Sequence, residues 1–326
     1  MSRISKFASL VAVGVFVTFG AASSSAQGYP SKPIRLVVPY PPGSGTDIVG
    51  RLLAQRLGES LGQQVYVDNR PGAGATIGTA LVAKGTPDGY MILMADLGPL
   101  AIGPSFHRQL PYDPIKELAP ISEVAVLPFV LVVHPSVPAH NVPELIALAK
   151  AKPGELNYAS VGNGTAVHLA TELFRQITGV DIVHIPYKGS APALTDLVAG
   201  RTSMMFVNVL SVRGFLESGQ LRAIAIGTAE RSPSMPEVPT VAESIQPNFR
   251  AGVWFGLLAP AETPRAIIDK LNAETVRVLQ TPDFKAKLIE QGAQSVPSSA
   301  EEFSALIQAE ITKWADVIRS SGVRME

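Results

Sequence analysis

The sequence has 326 residues with 27 basic and 27 acidic side chains, so its formal net charge is zero. This balance argues against a nucleic-acid-binding protein, which usually needs a basic surface. There is no cysteine, which excludes disulfides and thiolate metal sites, and the five histidines show no metal-ligand spacing. We therefore expect neither a metal nor a cofactor.

The N-terminus predicts an export signal at residues 1–26. Arg3 and Lys6 precede an apolar run at residues 7–22, and the small residues that follow end at Ala26, the expected cleavage point. The apolar run is short for a membrane span, and its small-residue end is typical of a cleaved signal. We therefore expect an exported mature protein, whose length allows two domains of typical size.

The first informative stretch has the order strand, small-residue loop, helix. Residues 36–38 are typical of a buried strand, residues 43–46 carry no bulky side chain, and apolar residues then recur with helical spacing from Ile48. Ser44 or Thr46 is placed to cap this helix. Backbone N–H groups at a helix start suit a bound anion, although a purely structural turn is the alternative interpretation.

A second glycine-rich run at residues 69–78 follows a short predicted strand. A dinucleotide-binding loop would need G-x-G-x-x-G spacing, which this run lacks. We therefore predict a tight turn that opens a helix to about Lys84. After the next strand, from Met91, Asp96 lies where ligands bind in open α/β sheets, and it is either solvated or faces a cleft.

Residues 156–168 repeat the order strand, small polar loop, helix, with the helix running to about Thr178. Two such loops, far apart in the chain, suggest two half-sites that face each other across a cleft. The other predicted strands are 129–133, 182–185, 204–207, 221–226 and 252–260, and the other predicted helices are 142–151, one ending near 200, 211–218, 264–279, 282–290 and one ending near 320. This alternation predicts an α/β fold with mostly parallel sheets.

Several motifs closely resemble those of Bug-type receptors, the periplasmic solute-binding proteins of tripartite tricarboxylate transporters. They are the opening at residues 29–47, Asn-Arg-Pro-Gly-Ala-Gly at 69–74, the glycine loop at 160–168 and Pro-Tyr-Lys-Gly at 186–189. The resemblance covers essentially the whole mature chain. The sequence departs from the family pattern at Asp96, Gly103, Ser203 and Val207, where small neutral residues, asparagine, aspartate and aspartate are usual.

The resemblance implies an α/β, two-domain type II periplasmic-binding-protein fold with a ligand cleft between the domains. It implies a first domain formed by residues 27–127 and 251–326, and a second domain at 128–250. It further implies a periplasmic, monomeric protein that captures a small carboxylate (a dicarboxylate, a tricarboxylate or an aromatic acid) by domain closure. The expected partners are that ligand and the membrane subunits of a tripartite tricarboxylate-type transporter, with no nucleic acid and no catalytic residue.

We expect the carboxylate to bind backbone N–H groups and hydroxyls of the two loops, with ordered water completing the contacts. His168 is included because the family carries histidine beside this loop, and two tyrosines would flank the ligand body. The expected ligand-binding residues are Tyr40, Pro42, Gly43, Ser44, Gly45, Thr46, Asp47, Asp96, Ser160, Gly162, Asn163, Gly164, Thr165, His168, Tyr187 and Asn208. Because aspartate is replaced at Val207, we favour a ligand without an amine.

Two other functions stay open from the sequence. A periplasmic sensor that presents a carboxylate to a signalling kinase would use the same closed form. A secreted hydrolase would use Ser44 as its nucleophile. Pro42 stands where the G-x-S-x-G elbow requires glycine, and no histidine or acid is placed by the sequence to serve Ser44.

Overall fold

The computed structural model describes residues 28–106, 109–247 and 249–322. The predicted export signal at residues 1–26 lies outside these ranges. Within them, none of the helices combines the length and the apolar character that crossing a bilayer requires.

Strands and helices alternate along the described chain. The strands are β1 (Ile34–Val38), β2 (Val65–Asn69), β3 (Met91–Asp96), β4 (Leu118–Val133), β5 (Asn157–Ser160), β6 (Val183–Pro186), β7 (Met204–Asn208), β8 (Arg222–Ile226), β9 (Gly252–Pro260) and β10 (Gln294–Ser295). The α-helices are α1 (Gly45–Leu61), α2 (Thr76–Ala83), α3 (Gly103–Phe106), α4 (Val142–Ala151), α5 (Ala166–Thr178), α6 (Ser190–Val198), α7 (Val209–Glu217), α8 (Val241–Ser244), α9 (Arg265–Gln280), α10 (Pro282–Glu290) and α11 (Ala300–Ser321). A short π-helix at Gly98–Ile102 leads into α3.

The strands pair in the order β2-β1-β3-β9-β4-β7-β5-β6, and β8 and β10 also pair with β4. β1 is parallel to β2 and β3, and β5 is parallel to β6 and β7. In contrast, β4 and β9 run antiparallel to all their partners in the described chain. The prediction of mostly parallel sheets is therefore wrong. The strands β1 to β3 and the strands β5 to β7 contain the parallel pairs, but β4 and β9, which connect these two sets, run antiparallel to their neighbours.

Strand β4 is shared by two groups of strands. Its residues 118–128 pair with β9, and its residues 129–133 pair with β7 and β8. We call β1, β2, β3, β9 and residues 118–128 the first half-sheet, and β5 to β8 with residues 129–133 the second half-sheet. The domain boundaries expected near residues 127 and 251 stay a prediction, and this change of partners lies beside both.

Three backbone hydrogen bonds connect the chain where β4 changes partners. Gly227 N–H donates to the carbonyl of Phe129 at 2.7 Å, and Ala251 N–H donates to the carbonyl of Gly227 at 2.7 Å. Phe129 N–H in turn donates to the carbonyl of Ala251 at 3.2 Å. The chain therefore passes between the half-sheets through a small, mutually bonded group of backbones.

Helix α1 covers one face of the first half-sheet. Leu53 and Leu57, four residues apart on α1, pack in one buried cluster with Leu36 and Val38 of β1 and Leu271 of α9, and each is at most 1% exposed. Fully burying a side chain of this size contributes about 1.5–3 kcal/mol. This packing holds β1, and with it the loop that leaves its carboxyl end.

Glu123 on β4 is a buried carboxylate outside the region predicted to bind ligand. It is 6% exposed, and its side chain makes no hydrogen bond or ion pair within the described residues. Burial raises the pKa of Glu123 to about 7, Arg250 opposes the rise and Glu310 adds to it. The ionised form is therefore disfavoured in the folded protein.

We expect Glu123→Gln to stabilise the protein near pH 8. The folded-state pKa lies above the unfolded value, so the stability that the protonated group contributes is present below about pH 4 and is lost as the pH rises through about 7. The rise of the Glu123 pKa from 4.5 to about 7 corresponds to about 3 kcal/mol of stability lost on ionisation. Urea denaturation at about pH 5 and about pH 8 measures the effect. A gain over wild type that does not grow with pH, or an equal gain in the exposed control Glu290→Gln, contradicts it.

Candidate ligand-binding site

A cleft with a volume of about 1370 Å³ is lined by both half-sheets and their connecting segments. The lining residues are Tyr40, Gly74, Asp96, Leu97, Gly98, Ile102, Gly103 and Phe106 from the first part of the chain, then Gly162, Asn163, Gly164, Thr165, Ala166, His168, Glu172, Arg175, His184, Pro186, Tyr187 and Lys188, and finally Val253, Ser321 and Gly322. Pockets for small molecules usually measure about 300–1,000 Å³, so a small ligand fills only part of this cleft.

The second predicted loop, residues 162–165, lies in the cleft. Gly162 N–H donates to Ser160 Oγ at 3.2 Å, and Gly164 N–H donates to His168 Nδ1 at 3.0 Å. In contrast, the N–H groups of Asn163 and Ala166 have no protein acceptor among the described residues. Ala166 is the first residue of α5 and Asn163 lies in the loop just before it, so both N–H groups are near the positive end of the helix, where an anion is favoured.

The first predicted loop lies beside the cleft, outside its lining. Ser44 Oγ caps α1 by accepting from Asp47 N–H at 3.2 Å, as the sequence predicts. The carboxylate of Asp47 accepts from Gly43 N–H at 2.8 Å, from Asn69 Nδ2 at 2.8 Å and from Arg51 Nε at 3.0 Å. Burial raises the pKa of Asp47, but these bonds outweigh it and hold that pKa below its usual range. Asp47 therefore orders the loop from within.

The cleft lining omits eight residues of the predicted set, namely Pro42, Gly43, Ser44, Gly45, Thr46, Asp47, Ser160 and Asn208. Ser160 is fully buried beneath the second loop. Asn208 caps α7, since its Oδ1 accepts from Ser211 N–H at 2.9 Å. Contact of any of the eight with a ligand stays a prediction. The other eight line one cleft.

Asp96 connects the first loop to the cleft. It is 7% exposed, so the interpretation in which it is solvated is wrong. Its Oδ1 accepts from the Tyr40 hydroxyl at 2.8 Å and from Gly98 N–H at 2.9 Å, and its Oδ2 accepts from the Thr46 hydroxyl at 3.0 Å. Burial raises the pKa of Asp96, and the three hydrogen bonds oppose the rise. While Asp96 is ionised, the proton of Tyr40 is committed to it.

Helix α5 presents a polar stripe to the cleft. His168, Glu172 and Arg175 follow one another at spacings of four and three residues, which places them on one helix face. Arg175 Nη1 donates to both carboxylate oxygens of Glu172, at 2.8 and 3.0 Å, and the Tyr158 hydroxyl donates to Glu172 Oε1. The Nε atom of Arg175 is buried without a hydrogen-bond partner in the described chain. The sequence analysis missed Glu172 and Arg175, although their spacing from His168 was a usable signal.

Two histidines stack beneath the second loop. The rings of His168 and His184 have centroids 3.9 Å apart and planes 9° apart, and the Tyr158 ring stacks on His184 at 4.8 Å. Burial lowers the pKa of both imidazoles, that of His184 to about 4 with His168 as a second cause. His184 Nε2 lies 2.6 Å from Ser160 Oγ, but because Ser160 is fully buried this pair is closed to a substrate.

Phe106 packs against the second loop. Gly164 has a φ of +71°, and a Cβ added there would overlap the Phe106 ring. Nearby, Tyr187 lines the cleft while its hydroxyl donates to Asp196 Oδ2 at 2.8 Å. Lys188 is exposed at the cleft and makes no ion pair within the described residues. The cleft thus combines aromatic and small apolar surface with the charged groups of Asp96, Lys188 and the polar stripe of α5.

The described residues contain no group of three or more His, Cys, Asp or Glu side chains placed to hold a metal ion.

The architecture is the α/β, two-domain fold of periplasmic binding proteins, with the cleft between the domains. The model of the tripartite tricarboxylate transporter family receptor matches residues 49–323. The chain belongs to this receptor family.

Several known proteins are similar to this chain over nearly its full length. BugT of Bordetella pertussis is 42% identical over 320 residues, which cover 97% of this chain and 98% of that protein. A solved R. palustris protein with adipate is 36% identical, with a TM-score of 0.72, and covers 91% of this chain and 100% of its own. MatC from Rhodopseudomonas palustris with bound malate is 31% identical, with a TM-score of 0.67, and covers 89% of this chain and 100% of its own.

Proposed function

We propose that this protein captures a small carboxylate in the periplasm and delivers it to the membrane subunits of a tripartite tricarboxylate-type transporter, without catalysing a reaction. The observation that carries the proposal is the second loop, where the N–H groups of Asn163 and Ala166 face no protein acceptor in the described chain. Hydrogen bonds to a charged group contribute about 1.5–3 kcal/mol each. A few of them suffice for micromolar binding, which corresponds to about −8 kcal/mol.

Capture works by closure of two domains, residues 27–127 with 251–326 and residues 128–250. The change of partners in β4 and the nearby start of β9 support this division, since these two strands connect the half-sheets. Closure brings the Tyr40–Asp96 side of the cleft toward the second loop and reduces a volume that is large for a small ligand. The first loop then reaches the ligand through backbone groups and ordered water.

The ligand is an aliphatic dicarboxylate or an aromatic acid without an amine. Adipate and malate in two similar solved proteins support a carboxylate ligand. Val207 lies outside the cleft lining, so its replacement of aspartate has no bearing on the choice, and Asp96 becomes the deciding residue. No cation pairs with Asp96 in the described chain, and an ionised Asp96 would attract an ammonium group. Its raised pKa instead favours a protonated carboxyl beside a carboxylate ligand.

Binding is tested by thermal shift and calorimetry with adipate, malate, succinate, citrate, nicotinate and terephthalate against aspartate and glutamate. A ligand that binds only the native state raises the unfolding midpoint. We expect an acid from the first group to bind, and Asp96→Asn to bind it about as tightly because the amide, like the protonated carboxyl of Asp96, carries no charge. Asp181→Asn, which changes an exposed acid outside the cleft, is the control. Tight binding of an amino acid that Asp96→Asn abolishes would overturn the ligand class.

Delivery and the absence of catalysis need separate tests. Deleting the receptor should abolish ligand uptake in cells that keep the membrane subunits, whereas a sensor would change transcription and leave uptake intact. Ester turnover tests the hydrolase alternative. No observation favours it, because Ser44 Oγ serves as a helix cap and has no histidine partner among the described residues.

A further inference from the structure

We propose that His168 is a positioning residue whose unprotonated Nδ1 keeps the loop at residues 162–165 in its ligand-binding shape, so that protonating this histidine releases the ligand. The inference rests on the proposed function, because it assumes that a carboxylate binds at this loop. His168 acts through the loop backbone and needs no contact with the ligand.

The first step is the tautomer of His168. Gly164 N–H donates to Nδ1 at 3.0 Å, so in the neutral ring the proton is on Nε2. That nitrogen lies 3.8 Å from Glu172 Oε1. A second proton would convert Nδ1 into a donor that points at the donor of Gly164. The bond that shapes the loop is therefore available only to the neutral imidazole.

The second step is that the stacked pair holds two amides of one loop. His168 takes Gly164 N–H directly, and His184 Nε2 lies 2.6 Å from Ser160 Oγ, which accepts Gly162 N–H at 3.2 Å. Gly162 N–H and Gly164 N–H are thus occupied within the protein. The N–H of Asn163, which lies between them, has no protein acceptor in the described chain. Loss of either bond frees the loop to turn its amides away from the ligand.

The third step is the charge around His168. Burial lowers the pKa of His168, Glu172 opposes this and Arg175 reinforces it. Glu172 is itself neutralised by Arg175 and receives the Tyr158 hydroxyl. The other titratable groups that face the cleft are Tyr40, Asp96, His184, Tyr187 and Lys188. His168 is therefore neutral near pH 7 and becomes protonated in acid.

A matched pair of variants separates the acceptor from the bulk of the side chain. In His168→Asn, Oδ1 is bonded to Cγ, as Nδ1 is in histidine, so it can accept from Gly164 N–H, and it does not titrate. His168→Leu keeps a branched side chain and has no acceptor. Calorimetry uses adipate as the probe from about pH 7 down to about pH 4.5. His140→Leu, at an exposed position outside the cleft, is the control.

Near pH 7 we expect His168→Asn to bind adipate within about threefold of wild type and His168→Leu to bind at least about tenfold more weakly, a loss of about 1.4 kcal/mol. Toward acid, the affinity of wild type should fall more steeply than that of His168→Asn. The carboxyl groups of the ligand also titrate toward acid, and Asp96 is the same in both proteins, so the variant provides the baseline and the difference between the two profiles reports His168.

Wild-type affinity in His168→Leu, or a pH profile of His168→Asn as steep as that of wild type, overturns the proposal. Hydrogen exchange of the segment 160–168 gives a readout without ligand. Its protection should persist in His168→Asn and fall in His168→Leu, and unchanged protection in His168→Leu also overturns the proposal. Failure of wild type to bind any of the carboxylates tested would instead count against the proposed function, while the exchange result still decides the role of His168.

Discussion

Gly164→Ala is expected to weaken ligand binding by at least about tenfold. Gly164 has a φ of +71°, which L side chains rarely adopt, and its new Cβ would overlap the Phe106 ring. Either the ring or the loop must move, and movement of the loop breaks the bond between Gly164 N–H and His168 Nδ1. Calorimetry with a carboxylate that binds wild type measures the loss.

Two further variants separate the causes of this loss. Gly179→Ala, at the end of the same helix, has a similar φ of +66° and no atom within 4 Å of the added Cβ, so it reports backbone strain alone. The double variant Phe106→Ala with Gly164→Ala removes the overlap and should recover part of the affinity. Equal binding by wild type and Gly164→Ala would place the ligand away from this loop.

Gly227→Ala is expected to lower the free energy of unfolding by about 3 kcal/mol. The added Cβ would overlap the carbonyl oxygen of Ala251 and lie 2.9 Å from the Ala251 Cβ. Backbone cannot rotate away as a side chain can. Because Gly227 also bonds Phe129 and Ala251 at 2.7 Å, the strain falls on the connection between the half-sheets. The midpoint of urea denaturation measures it.

Gly214→Ala is the matched control for Gly227→Ala. Gly214 lies inside α7, nothing is within 4 Å of its added Cβ, and its φ is helical. Alanine in place of glycine within a helix usually stabilises by about 0.5–1 kcal/mol. Similar denaturation midpoints for the two variants would mean that the backbone around Gly227 and Ala251 accommodates the added methyl group without strain.

Much of the local structure could be predicted because caps and periodicity act over short distances. Asn141 caps α4, which spans the predicted residues, and Ser299 with Glu302 forms a capping box at the start of α11. The strand β9 also has its predicted bounds. Each of these signals depends on residues within one or two turns of the feature that they predict.

The first part of β4 could not be predicted in the same way. Pro120 and Pro128 argue against a strand, and Ser122 and Glu123 interrupt its apolar pattern. The structure accommodates them through two register shifts against β9, one between Pro120 and Ser122 and one after Glu123. Such bulges depend on the partner strand, which lies far away in the sequence.

The site was only partly predictable for a similar reason. Both loops share the same local pattern, but Asp47 folds back and occupies Gly43 N–H in the first loop, whereas His168 takes Gly164 N–H in the second. Phe106 and Ser321 line the cleft from segments that no local motif connects to it. Their placement follows from the packing of α3 and α11, which only the complete fold determines.

The position of β9 has a consequence for the order in which the molecule can assemble. β9 lies between β3 and β4 in the sheet, yet the chain reaches it only after β5, β6, β7 and β8. Until residues 252–260 are in place, β3 and β4 each have an unpaired edge, which invites wrong pairings. Pairings between distant residues also form slowly. The second half-sheet can therefore be complete earlier, and the half-sheet that begins the chain is the last to close.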